Sequence, residues 1–210
     1  AELNSQDKIN NVPHIGKIYE RYAHRCKAAG AMDFDDLLYN IFVLFHRNPD
    51  NVLEKYQNKF RYLLVDEFQD TNFLQYAILK KLIKFPGSTE NICIVGDDAQ
   101  SIYAFRGATI DNILDFGKDF KNLQTFKLEQ NYRSGKYIVN AANNVITNNP
   151  KQIKKEIWTS QPDSSKISLI RALSDSEESR KVVDSIFEHK NRNHISNSEI
   201  AILYRTNAQS

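Results

Sequence analysis

The chain has 210 residues, 41% hydrophobic and 26% charged, the make-up of one or two globular domains with a sizeable core. Its net charge of +2 argues neither for nor against a nucleic-acid partner. Cys26 and Cys93 match no metal spacing, no stretch is apolar enough to span a membrane, and the polar start from Ala1 to Asn11 lacks a signal-peptide core. The expectation is therefore a cytoplasmic protein with free thiols, Cys93 being a small core residue inside its apolar run.

Helical periodicity opens the chain. Ile15, Ile18, Tyr19 and Tyr22 form one apolar stripe. Phe34, Leu37, Leu38, Ile41, Phe42 and Phe45 form another, with Asp33 as its N-cap. A short third helix is predicted from near Asp50, carrying Val52, Leu53 and Tyr56.

The pattern then changes to short apolar runs. Tyr62 to Val65 ends in Asp66-Glu67, and Ile92 to Val95 ends in Gly96-Asp97-Asp98. Gln124 to Leu128 is a third, more polar run. Leu74, Ala77, Ile78 and Leu82 mark a helix between the first two, ending before Pro86-Gly87. Strands alternating with helices predict a parallel α/β sheet.

A second unit follows. Ile138, Ala141, Ala142, Val145 and Ile146 form a helical stripe stopped by Pro150, and residues 151–165 read as a polar connector. Ile167–Ile170 and Ile200–Tyr204 read as strands around a helix with a capping box at Ser174 and Glu177, a βαβ unit. Between Asn131 and Ser160, Arg133, Lys136, Lys151, Lys154 and Lys155 stand against Glu156 alone, a net +4 that either faces phosphates or is a solvated surface.

Parallel sheets place ligands at the carboxyl ends of their strands. At the first such end, Asp66 suits a Mg²⁺ held through water and Glu67 a general base. The alternative is that they only begin a loop, with Asp70 or Thr71 capping the next helix. Beyond the second end, Gln100 offers a neutral amide to a terminal phosphate. Tyr103 and Phe105 beside Arg106 suit stacking on unpaired bases, although such aromatics also belong in cores. Arg133, at a domain junction, suits an arginine finger or is an ordinary surface cation, and Ser134 suits a helix cap.

Together DEFQDTN (67 is its Glu), VGDDAQSIYAFRGA (Val95–Ala108) and NYRS (Asn131–Ser134) closely resemble the UvrD/PcrA/Rep helicases of superfamily 1. MDFDDLL from Met32 and AILYRTNAQS from Ala201 extend the resemblance over almost the whole chain. It implies a partial RecA-like (P-loop NTPase) α/β fold, with a parallel sheet, flanking helices and the start of a second RecA-like domain. Residues 1–30 would end a first accessory domain, 31–130 would be the later part of the first motor domain, and 131–210 would begin the second.

The resemblance also implies ATP and Mg²⁺ as ligands. Single-stranded DNA and duplex junctions would be partners, with 3′-to-5′ movement and a DNA-repair context. Asp66 would bind Mg²⁺, Glu67 activate water, Gln100 sense the γ-phosphate and Arg133 act as the finger. Tyr132 would stack on adenine; Tyr103, Phe105 and Arg106 would meet DNA. Phe105 stands where the family usually has tryptophan, so stacking area is smaller.

No Gly-Lys pair here (Gly16, Gly117, Gly135) is followed by Ser or Thr, so the phosphate loop G-x-x-x-x-G-K-[ST] is not in this sequence. The expectation is an internal part of a longer motor, without meaningful ATPase by itself. A non-hydrolysing DNA-binding or scaffold module and the motor segment of a helicase–nuclease are the competing readings. For the sheet, the expectation is parallel pairing of Tyr62–Val65 with Ile92–Val95, and of Gln124–Leu128 directly with Ile92–Val95.

Overall fold

The computed structural model describes residues 14–162 and 166–205. The polar start, part of the connector and the last residues of AILYRTNAQS lie outside them. The chain divides into two compact units, residues 1–127 with 148–155, and residues 128–147 with 156–210.

In the first unit, α1 (Ile15–Ala28) and α2 (Phe34–Arg47) follow the two predicted stripes. Asp33 caps α2 as expected: its carboxylate accepts the Asp36 N–H while the Asp36 carboxylate accepts the Asp33 N–H. That reciprocal pair satisfies two amides the helix cannot use. α3 (Val52–Lys59) comes after a 3₁₀ turn at Pro49–Asn51. α4 (Phe73–Ile83) is capped by Asn72, whose side chain accepts the Gln75 N–H and whose own N–H is accepted by Gln75. The cap therefore falls one or two residues beyond Asp70 and Thr71. Both α2 and α3 pack on α4, and Gln57 Nε2 donates to the Lys81 carbonyl at 2.8 Å.

β1 (Leu63–Val65) and β2 (Ile92–Ile94) pair in parallel, Leu64 opposite Cys93, as the sequence predicts. Period-two alternation then decides which side chains are covered. Leu63, Val65, Ile92 and Ile94 turn to a core of Phe68, Tyr76, Ile83, Phe116 and Phe120. Phe68 is fully buried and meets Tyr76 and Phe116 edge-on, each at 5.4 Å. Leu64 and Cys93 share the other face and are exposed, which corrects the expectation that Cys93 is a core residue. Two short helices, α5 (Asp111–Leu114) and α6 (Phe116–Asp119), close this core.

The third strand does not form. Residues 124–128 are extended chain outside the sheet, with Phe126 and Leu128 more than four-fifths exposed. The run carries few large apolar groups, so burial gives it little reason to pair with β2.

The second unit contains α7 (Lys136–Ile146) and α8 (Asp175–Asn193), both in predicted places. Gly135, rather than Ser134, is the N-cap of α7. Ser174 caps α8 through the Glu177 N–H, but the Glu177 carboxylate accepts from Leu173 instead of closing the box on Ser174. Residues 167–170 and 200–204 are not strands, so the expected βαβ unit is absent here. Their side chains stay largely exposed, Leu169 and Leu203 most of all. A parallel bridge between Gln130 and Trp158 joins the chain before α7 to the chain after it.

Candidate active site

The two strand ends are zipped together beyond the ladder. The Val95 N–H donates to the Val65 carbonyl at 2.8 Å, and the Phe68 N–H to the Val95 carbonyl at 2.9 Å. Between these bonds stand Asp66 and Glu67, both exposed. Asp66 Oδ1 accepts the Glu67 N–H at 2.9 Å. Glu67 has φ of 49°, a left-handed conformation that costs a non-glycine residue about 1–3 kcal/mol and persists only where its surroundings hold it.

Gln69 imposes it. Its side chain is 1% exposed and both ends are used. Nε2 donates to Glu67 Oε2 at 2.8 Å, and Oε1 accepts the Asp97 N–H at 3.0 Å. Ser101 Oγ also donates to the Gln69 carbonyl at 3.3 Å. One buried amide thus joins the carboxylate after β1 to the backbone after β2. Gly96 permits that approach, since a Cβ there would lie 2.6 Å from Gln69 Oε1.

The turn after β2 is built from its own acids. Asp97 Oδ1 accepts the Ala99 N–H at 3.0 Å and Oδ2 accepts Gln100 Nε2 at 2.8 Å. Lys155 Nζ lies 2.5 Å from Asp97 Oδ1 and 2.7 Å from Asp98 Oδ1. Asp98 is 3% exposed and also takes the Ile153 N–H on Oδ2 at 2.8 Å. Burial pushes the Asp97 carboxyl up, but hydrogen bonds from Lys155, Gln100 and Ala99 outweigh it and hold the group below its ordinary value. Burial likewise lowers the Lys155 ammonium, and its bonds to Asp97 and Asp98 bring it above the ordinary value. Lys155 is therefore bound to carboxylates, neither facing phosphate nor merely solvated as the sequence suggested.

Asp66, Glu67 and Asp70 border an open cavity of about 390 Å³ between β1, α2 and α4. Asp70 Oδ1 is buried there without a hydrogen-bond partner. Among the described residues no group of three or more His, Cys, Asp or Glu side chains could hold a metal by itself. One or two exposed carboxylates nevertheless fit Mg²⁺, which keeps several waters and binds largely through substrate phosphates.

The loop after Glu67 is clamped to the next segment. Asn112, buried, donates to the Thr71 carbonyl at 3.1 Å and to Thr71 Oγ1 at 3.2 Å. The Thr109 N–H reaches the same carbonyl at 3.0 Å, and Asn72 bridges to Ala108. The clamped arm carries the aromatics. Tyr103 and Phe105 lie 5.9 Å apart, with the Arg106 guanidinium 5.5 Å and 5.4 Å from their ring centres. Phe105 is 77% exposed, so the core reading of these rings does not hold. They present exposed π-faces beside a positive charge, a surface able to stack on bases.

Tyr132 and Arg133 belong to the second unit. Asn131 Oδ1 accepts the N–H groups of Arg133 and Ser134, shaping the turn into α7. Both Tyr132 and Arg133 are exposed, and Tyr132 Oη donates to Gln130 Oε1 at 2.8 Å.

Asp66, Glu67 and Gln100 are thus brought to neighbouring strand ends linked through Gln69 and Asp97. Tyr103, Phe105 and Arg106 form a separate exposed cluster on the clamped arm. Sequence reasoning missed Gln69 and Asn112 and placed Lys155 only in a basic stretch, without its partners. An amide between acids at a strand end was a usable signal for Gln69; nothing local marks Asn112 or the partners of Lys155.

The chain resembles known proteins along nearly its whole length. The UvrD/REP helicase N-terminal domain matches residues 1–121, and the UvrD-like helicase C-terminal domain matches residues 126–210. The ATP-dependent DNA helicase PcrA of Staphylococcus aureus strain Mu50 is 47% identical over 197 residues, covering 93% of this chain and 26% of its own length. The protein of that name from Staphylococcus epidermidis strain RP62A matches with the same 47% identity and the same coverage. The chain therefore spans about a quarter (26%) of the length of these curated relatives. With one helicase domain matched over more than half of the chain and a second over nearly all the rest, this chain belongs to the UvrD/REP helicase family.

Proposed function

We propose that this chain is the internal part of an ATP-dependent DNA helicase that activates the attacking water, senses the terminal phosphate and meets single-stranded DNA. The observation that carries the reading is the Gln69 amide. It ties Glu67, in a left-handed conformation at one strand end, to the turn bearing Asp97 and Gln100 at the other. A pure binding module has no use for a carboxylate held in one direction at a strand end.

In this reading Glu67 accepts the proton of the attacking water, and Gln69 fixes the direction of its carboxylate. Asp66 holds Mg²⁺ through water; the ion, when bound, neutralises charge developing on the phosphates. Gln100 donates its second amide hydrogen to the γ-phosphate while the first stays on Asp97. Arg133 supplies transition-state charge as an arginine finger, and Tyr132 stacks on adenine. The phosphate loop that such a motor needs is not in this sequence.

Tyr103, Phe105 and Arg106 hold single-stranded DNA, including at duplex junctions. The Thr71–Asn112 clamp couples that arm to the Glu67 loop. We assign residues 1–30 to the end of the first accessory domain, 31–130 to the first RecA-like motor domain and 131–210 to the second. Among the described residues no helix is long and apolar enough to cross a membrane, and we assign the protein to the cytoplasm, acting in DNA repair.

The test is steady-state ATP hydrolysis by the full-length protein with and without single-stranded DNA. DNA-stimulated turnover is expected. Hydrolysis indifferent to DNA, or none, overturns the reading.

A further inference from the structure

Residues 148–155 belong to the first unit, although the chain on both sides of them belongs to the second. Within the first unit, the segment ends on the acidic turn after β2. Lys155 Nζ pairs with Asp97 and Asp98, and the Ile153 N–H reaches Asp98 Oδ2. Lys127 Nζ adds a bond to the Lys154 carbonyl at 2.6 Å.

The next residue, Glu156, starts a run held inside the second unit. Its N–H donates to Glu129 Oε1 at 3.1 Å. The Trp158 N–H donates to the Glu129 carbonyl at 2.9 Å, and the Asn131 N–H to the Trp158 carbonyl at 2.7 Å. Gln161 Nε2 donates to the Tyr132 carbonyl at 2.8 Å. One continuous stretch, Ile153 to Gln161, is therefore fastened at its start to the turn carrying Gln100. At its end it is fastened to the turn carrying Arg133.

The chemistry at the first fastening is specific. Asp98 is 3% exposed, and leaving a buried carboxylate without its partner cation is strongly destabilising. Asp97 uses one oxygen for Lys155 and the other for the Gln100 amide. Without the ammonium, two adjacent carboxylates share one turn, and the Asp97–Gln100 bond is no longer held in one geometry. Arginine would keep the charge but replace a point donor with a planar fork.

We propose that Lys155 is a positioning residue of the nucleotide site, which sets the Asp97–Gln100 pair. The inference rests on the proposed function above. Whether Lys155 acts through Gln100 is what a double-mutant cycle measures.

The experiment uses the full-length protein and variants Lys155→Met, Lys155→Arg, Gln100→Ala and Lys155→Met with Gln100→Ala. The readouts are KM for ATP, DNA-stimulated kcat and melting temperature. Lys155→Met is expected to lower kcat at least tenfold, on the order of one decade per 1.4 kcal/mol of lost transition-state stabilisation, with KM within about twofold. Lys155→Arg is expected to recover most of that loss. In the Gln100→Ala background, Lys155→Met should cause no further loss of kcat.

A kcat within about twofold of the parent in Lys155→Met overturns the proposal. So do losses that multiply in the double variant, or a fall in melting temperature that accounts for the loss and that Lys155→Arg does not rescue. A parent without DNA-stimulated hydrolysis overturns the proposed function itself, and this inference with it; an active parent with an indifferent Lys155→Met overturns this inference alone.

Discussion

Gly96→Ala tests whether the amide bridge organises the site. The backbone at Gly96 is not left-handed, so the cost of a methyl group is steric. The added Cβ would lie 2.6 Å from Gln69 Oε1, 3.1 Å from Ile113 Cδ1 and 3.2 Å from the Phe68 backbone nitrogen. Ile113 can turn its methyl away. Gln69 cannot swing freely, because Nε2 is held by Glu67 and Oε1 by the Asp97 N–H. Relief must come from strain or from giving up the Asp97 bond. Overpacking costs about 1–3 kcal/mol, as does a buried donor left unpaired, and the chain takes the cheaper route, so a loss of about 2 kcal/mol is expected. In a Gln69→Ala background the obstructing oxygen is gone, and Gly96→Ala should cost about 1 kcal/mol less than in the parent. Urea denaturation of the 210-residue chain, followed by circular dichroism, gives the four stabilities. Equal costs of Gly96→Ala in the two backgrounds would refute the reasoning.

Phe105→Ala in the full-length protein should weaken single-strand binding by about 1–3 kcal/mol, read by fluorescence anisotropy, with DNA-free ATPase little changed. Parent-like affinity would remove Phe105 from the DNA surface. The Lys155–Asp97 pair also makes a pH prediction. Asp97 lies below its ordinary 3.8, so its contribution is present above 3.8 and lost as pH falls through the lowered value. Lys155 lies above its ordinary 10.5, so its contribution is present below 10.5 and lost as pH rises through the raised value. The stability gap between parent and Lys155→Met should then be flat from about pH 5 to pH 9 and shrink in acid. A gap that varied steadily across that window would contradict the assignment.

Much of the first unit was legible because its signals are local. Asp33 before an apolar stripe specifies a capped helix whatever surrounds it, and α2 begins where that logic puts it. Two apolar runs ending in acid marked β1 and β2, while alternation with helices and the family resemblance gave their parallel pairing. Local signals fail where a partner decides. Residues 124–128, 167–170 and 200–204 favour extended chain, yet a strand exists only when a neighbour accepts its hydrogen bonds, and composition does not name the neighbour. Cys93 was misjudged for a related reason. An apolar run says that a strand is covered, but register decides which alternate residue faces the core. At the candidate site, the strand ends drew attention to Asp66, Glu67 and Gln100, and the family resemblance supplied the roles expected of them. The role of Lys155 was not legible, because its carboxylates lie 58 and 57 positions away in the chain. Gln69 showed its type and place but not its two-ended bonding, which exists only once β1 and β2 are side by side.

The most direct measurement is single-turnover ATP hydrolysis by Glu67→Gln in the full-length protein, alongside nucleotide binding in the same preparation. The amide keeps the shape of the side chain and removes the base. The account predicts parent-like nucleotide affinity with DNA-stimulated hydrolysis reduced by a factor of about 10² or more, the usual contribution of a positioned general base. Hydrolysis at the parent rate would contradict it.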